Sequence, residues 1–180
     1  MPERLSSVLS GLDLPEAELW AARLDGELFQ IGNCFTPIDE IEQPSHRASV
    51  VHFGMPQRLI AEQRSAGWIW GAYDLAPPHR QLCVGMDSRV GHELPRSVSV
   101  REVVIGPHEF TLVDGFRTTT PLRTIIDLAR FSEVFDEADE RSVSLLMRRY
   151  GVSFEDCIDG LNSRRNLPGK RRARARISRC

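Results

Sequence analysis

Residues 114–130 read DGFRTTTPLRTIIDLAR, and how this stretch is parsed decides the fold. Asp114-Gly115 is a strong two-residue hairpin signal, because both residue types tolerate the left-handed backbone of a tight turn. The threonines that follow favour extended chain. Thr120 can then satisfy orphan amides at the start of a helix, and Pro121 loses no hydrogen bond at the first helical position. The stretch predicts a strand that hands its chain directly to a helix burying Leu122, Ile125, Ile126 and Ala129. Arg123 and Asp127 stand four residues apart on that helix, where an exposed pair contributes about 0.3–0.5 kcal/mol. Thr120, Pro121, Arg123, Thr124 and Asp127 are therefore read as structure, not chemistry.

Working upstream, QLCVGM (81–86), VSVREVVIG (98–106) and EFTLVDGFRTT (109–119) predict three extended runs, and hence a small sheet. MPQRLIAEQRSAGWIWGAYDL (55–75) predicts a helix from Pro56, with apolar or small residues at 59, 60, 66, 67 and 70 on its buried face and Trp70 in the core. ASVVHFG (48–54) predicts a strand. The first segment, GLDLPEAELWAARLDGELFQIGNCF (11–35), predicts a short helix capped by Asp13 and ended by Gly26, then a hairpin-like wing around Gly32 and Asn33.

Downstream, a helix from about Glu133 to Arg149 and another capped by Ser153, with Asp156 reaching back, complete the body. LPGKRRARARISRC (167–180) predicts a basic helix frayed by Gly169 and by its charge density, with a tail dispensable for folding.

The net charge of −2 conceals a gradient. Residues 1–45 hold two basic and nine acidic side chains, residues 46–160 thirteen and sixteen, and residues 161–180 eight and none. An all-positive tail on an acidic body points to an anionic partner. Arg164, Arg165, Lys170, Arg171, Arg172, Arg174 and Arg176 are the candidate nucleic-acid-binding residues, able to neutralise several phosphates.

Other chemistries find no foothold. Cys34, Cys83, Cys157 and Cys180 are scattered, with no C-x-x-C pair and no histidine at ligand spacing, so no metal site and no cofactor is expected. His46, His52, His79, His92 and His108 never sit at i, i+4 or beside a plausible nucleophile. No G-x-S-x-G, Walker or dinucleotide-binding glycine motif occurs, and an enzymatic role is not expected. The 41% hydrophobic and 27% charged content suits a globular protein. No window approaches 18 apolar residues and the start lacks the marks of a signal peptide, so a cytoplasmic protein without membrane contact is expected.

In order, LDGELFQIGNCF (24–35), SAGWIWGAYDL (65–75), LVDGFRTTTPLRTIIDLAR (112–130) and LPGKRRARAR (167–176) resemble the AbiEi-type antitoxins and related transcriptional regulators of bacterial type IV toxin-antitoxin systems. The most specific block looks like the family's turn-strand-helix motif through Asp114, Gly115, Thr118, Pro121, Arg123, Thr124, Asp127 and Leu128. The resemblance implies an α+β chain: a truncated winged-helix-like segment over 1–45, a mixed α/β antitoxin-type domain over 46–162 and a basic tail over 163–180. It further implies binding of DNA, the operon's own promoter, and functional pairing with a nucleotidyltransferase-like toxin without a stable complex. It carries over no catalytic residues.

One feature departs from that pattern. The first helix offers only Arg23 against Glu16, Glu18, Asp25 and Glu27, a balance that phosphates repel. The expectation is therefore an antitoxin or regulator that contacts nucleic acid through its tail. The alternative is a protein-binding module, or an orphan remnant regulator that has lost DNA recognition.

Overall fold

The computed structural model describes residues 8–87, 94–164 and 167–180. The chain is a mixed α+β protein. It opens with helix α1 (Glu16–Leu24) and the antiparallel hairpin β1 (Leu28–Ile31) and β2 (Cys34–Pro37), which turns at Gly32-Asn33. Leu19, Leu28 and Phe35 form a small core of their own there. Asp13 does not cap α1; its carboxylate accepts from Ser10 N and Oγ at 2.9 and 2.8 Å, and Pro15 stands at the cap position without a side-chain bond.

Helix α2 (Pro44–His52) follows. It replaces the strand expected over 48–54: Pro44 occupies the first helical position, and Gln43 and His46 form a reciprocal capping box. Ala48 and Val51, three residues apart, are buried on one face. Tertiary burial overrides the β preference of the valine pair.

The expected helix from Pro56 is also shorter. Ile60–Ala61 form strand β3, and helix α3 spans only Gln63–Ile69. Leu59, Ile60 and Ala61 are buried in succession, as suits a strand covered on both faces. Gln63, at φ +48°, makes the corner. Strands β4 (Arg80–Gly85), β5 (Val98–Val103), β6 (Phe110–Val113) and β7 (Phe116–Thr119) complete a five-stranded sheet in the order β5-β4-β3-β7-β6. β3 runs parallel to β7 and antiparallel to β4, and β4 runs parallel to β5.

The β6–β7 hairpin turns where the sequence predicts. Asp114 and Gly115 both take positive φ, +50° and +82°, as a two-residue primed turn needs. Helix α4 (Pro121–Phe131) then starts as expected, with Thr120 Oγ1 accepting from Arg123 N at 3.3 Å. Helices α5 (Glu137–Tyr150), α6 (Phe154–Asn162) and α7 (Lys170–Ile177) follow. α6 has the predicted Ser153–Asp156 capping box, whereas α5 begins four residues later than expected, capped by Asp136.

α4 is the hub. It packs against α3, α5, α6 and α7, which is why every residue from Arg123 to Arg130 is buried, the charged ones included. A second hydrophobic core gathers Ile125, Leu128, Val143, Leu146, Leu161, Ala173 and Ile177. Trp68, 2% exposed, is the deeply buried indole of its pair. Trp70 is half-buried, donating from Nε1 to Thr119 O at 2.8 Å and meeting the Tyr150 ring edge-on.

Candidate nucleic-acid interface

Helix α7 decides where the tail's charge can act. Ala173 and Ile177, one turn apart, are 0% and 2% exposed against α4, so this helix is a packed element and not a detached tail. Gly169 starts it at φ +77°, where a Cβ would stand 3.4 Å from Arg130 O; glycine lets the chain pass that close. The expectation of a frayed tail is thereby corrected, and the docked Ile177 argues against a tail dispensable for folding. Two small apolar anchors suffice, because α4 offers a complementary face.

With 100° between successive helical residues, Arg171 points away from the buried side, and Arg172 and Arg174 flank it. All three are exposed, while Lys170 and Arg176 are half-buried. The cations then divide into two groups. Arg172 donates to Arg130 O, and Arg176 Nη1 donates to Ala129 O and Ser132 O at 3.0 and 2.9 Å. These carbonyls lie at the C-terminal end of α4, so both arginines cap that helix. Burial lowers the Arg176 pKa, and Arg172 and Arg179 add to the effect.

The side chains of Lys170, Arg171 and Arg174 make no ion pair or hydrogen bond among the described residues. They form the free positive face. Arg164 is committed to Glu109, and Arg165 lies outside the described residues. Sequence reasoning missed Arg148, exposed on α5, which lines a cleft with Ser144 and Cys180 beside the end of α7. Only the packing of α5 on α7 brings it there.

The N-terminal segment contrasts with α7. Glu16 and Glu18 occupy the first turn of α1, and its only arginine, Arg23, lies over the Trp20 ring at 5.1 Å.

Beneath α7, the motif residues of α4 form a buried charge cluster, which decides between the exposed and the buried Arg123–Asp127 pair that the sequence leaves open. Asp127 is 0% and Arg123 5% exposed. Arg123 Nε donates to Asp127 Oδ2 at 2.7 Å and its Nη1 donates to Glu109 Oε1 at 2.7 Å. Arg130 Nη1 stands 3.5 Å from Asp127 Oδ1, and Arg101 Nη2 stands 4.0 Å from Oδ2. Arg101 is bound bidentately by buried Glu62, at 2.7 and 2.6 Å. Thr124 Oγ1, also buried, bonds Thr119 Oγ1 at 2.8 Å and so ties the helix to β7.

The electrostatics follow from burial. Burial opposes the charge on Arg123, but Asp127 and Glu109 hold its pKa above the ordinary value. The Asp127 pKa is raised: burial is the main cause and Glu62 adds to it, against the pull of Arg123 and Arg101. Three guanidiniums within 4.0 Å of its oxygens oppose that rise and favour the charged carboxylate. Burial pushes the Cys34 thiol up to about 11 and the Cys157 thiol up to about 12, so neither is a ready nucleophile. Among the described residues no group of His, Cys, Asp or Glu stands ready to hold a metal ion, and no helix is long and apolar enough to cross a membrane.

No family model matches the chain, and no curated protein matches it significantly. Among solved structures it is similar to the RV2827C protein from Mycobacterium tuberculosis, with 17% identity and a TM-score of 0.47 over 96% of this chain and 72% of that one. So loose a likeness carries no inference about fold or function.

Proposed function

We propose that this chain is an AbiEi-like antitoxin or transcriptional regulator of a type IV toxin-antitoxin system, working in the cytoplasm by binding nucleic acid and without catalysis. The observation that carries this reading is the positive face of α7, which is unpaired among the described residues. Lys170, Arg171 and Arg174 project from a helix that Ala173 and Ile177 anchor. Each such cation that meets a phosphate releases condensed counterions, and an anchored helix loses less entropy on contact than a free tail. The DNA is the operon's own promoter, and the functional counterpart is a nucleotidyltransferase-like toxin that need not be held in a complex. Arg172 and Arg176 belong to the fold in this reading, since they cap α4.

The test is a mobility-shift assay on promoter DNA at low salt. Replacing Lys170, Arg171 and Arg174 together with alanine weakens binding at least tenfold while the thermal melt stays unchanged, and Arg23→Ala changes little. Loss of sequence-selective binding in Arg23→Ala, with binding retained in the triple variant, would overturn the assignment to α7.

A second reading, a protein-binding module, has one observation in its favour. Leu24, Ile38 and Leu75 are 81%, 60% and 83% exposed around one groove at the acidic N-terminal segment. A basic partner with apolar anchors fits that surface.

A further inference from the structure

A cavity of about 290 Å³ opens between the first turn of α4, the end of α6 and the chain leading to α7. Its wall is apolar on one side and charged on the other, where the Glu109 carboxylate, already bound by Arg123 and Arg164, also lines it. Leu122, Ile126 and Leu167 supply an apolar side, while Arg123, Arg130 and Arg164 supply guanidiniums. Gly160 lies on the α6 side, and exposed His108 and Ser163 stand at the rim. The volume is at the small end of ligand pockets, and a mainly apolar wall with a few convergent polar groups is their usual composition.

The charges around this cavity do not balance. Among the described residues, Arg101, Arg123, Arg130 and Arg164 face Glu62, Asp127 and Glu109 through the contacts of one continuous network, four cations to three carboxylates. Arg130 is the one of the four whose guanidinium donates no hydrogen bond to a carboxylate among the described residues. It is 4% exposed, yet its one hydrogen bond among the described residues runs from Nε to Pro168 O at 3.0 Å. Its Nη1 reaches Asp127 Oδ1 only at 3.5 Å, and that oxygen accepts no hydrogen bond. Burial, together with Arg123, Arg101 and Arg164, lowers the Arg130 pKa against the pull of Asp127. A buried guanidinium that shares its one carboxylate with two others, and keeps donors without a hydrogen bond, is costly unless an anion meets it.

We propose that this cavity binds a small phosphate monoester of nucleotide size. The phosphate lies against Arg130 and Arg123, whose planar forks suit its oxygens, and Arg164 closes on it from the rim. The ring of the ligand packs on Leu122, Ile126 and Leu167. The site is separate from the outward face of α7 and does not depend on that face binding nucleic acid. It does touch the path of α7, because Arg130 also holds Pro168 O just before that helix begins.

Isothermal titration calorimetry on the full chain tests this, with AMP, UMP, inorganic phosphate and adenosine as probes. The nucleoside monophosphates bind one per chain, and both inorganic phosphate and adenosine bind at least tenfold more weakly. Arg164→Gln weakens AMP at least threefold and Arg130→Gln at least tenfold. Ser163→Trp, which fills the mouth without removing a guanidinium, blocks binding, and so keeps the test decisive if Arg130→Gln fails to fold. Adenosine or inorganic phosphate binding as tightly as AMP overturns the proposal, as does AMP binding unchanged in Ser163→Trp. Absence of AMP binding at millimolar concentration to a chain that melts cooperatively overturns it as well.

Discussion

Removing the carboxylate of Asp127 is the sharpest stability test of the buried cluster. Asp127→Ala leaves Arg123, Arg130 and Arg101, now 2.7, 3.5 and 4.0 Å from the missing oxygens, without their shared counter-charge. One such pair near 4 Å is worth about 4 kcal/mol at an effective dielectric constant of about 20, before the cost of desolvating the carboxylate is subtracted. Breaking a buried pair by removing one partner costs about 3–5 kcal/mol, because the survivors stay buried and unpaired. For a chain of this size each kcal/mol lowers Tm by roughly 2–4 °C, so the melting point falls by about 6–20 °C. Calorimetry or thermal circular dichroism reads the shift. The exposed Arg141–Glu137 pair, 73% and 90% exposed, is the internal control, and Arg141→Ala moves stability by no more than about 0.5 kcal/mol. The double variant Arg123→Met with Asp127→Leu recovers part of the loss, since apolar groups of similar volume can replace a buried pair while Arg130 still lacks its carboxylate. A loss below about 1 kcal/mol for Asp127→Ala, or one equal to that of Arg141→Ala, would refute the reasoning.

Three further outcomes follow from the same packing. Ile177→Ala, at a site 2% exposed against α4, costs about 2–5 kcal/mol, and deleting residues 163–180 broadens or abolishes cooperative unfolding in urea; a full-strength transition without the tail contradicts the docked α7. Thr120→Ala removes the cap on α4 and costs about 1 kcal/mol, read by the same denaturation. Burial holds His52 at a pKa of about 4, against its hydrogen bond to Arg117 O and with help from Arg80. The unfolded chain therefore binds more protons between that value and about 6.5; stability is full above about pH 6.5 and declines by about 3 kcal/mol as pH falls to about 4. His52→Gln flattens that part of the profile, and an identical slope in the variant would show that His52 is not its source.

Local signals in the sequence were legible where neighbours in the chain settle the structure. The Asp114-Gly115 turn, the Thr120 cap and the Ser153–Asp156 box depend on residues within three positions of one another, and each stands as read. The misreadings at 48–54 and 55–62 have one cause, because a short apolar run has no period of its own and its fate depends on what covers it. Ala48 and Val51 pack as a helix face, whereas Ile60 and Ala61 are enclosed on both sides as a strand. The charged residues of α4 were illegible for a longer-range reason. Arg123 at i and Asp127 at i+4 look the same in sequence whether water or α3, α6 and α7 surround them. Their partners Glu62, Arg101 and Glu109 are brought in by sheet order alone. The division of the basic tail into capping and free arginines likewise depends on where Ala173 and Ile177 dock.

The claim that α7 is the nucleic-acid contact is tested most directly by the salt dependence of DNA binding, measured by fluorescence anisotropy on the native chain and on the Lys170, Arg171 and Arg174 triple alanine variant. Each phosphate contact contributes about 0.9 to the slope of log K against log salt on duplex DNA. The account predicts that the triple variant lowers the magnitude of that slope by about 2–3, with affinity at low salt falling in parallel and Tm unchanged. An unchanged slope in a folded triple variant would contradict it and place the contact elsewhere on the chain.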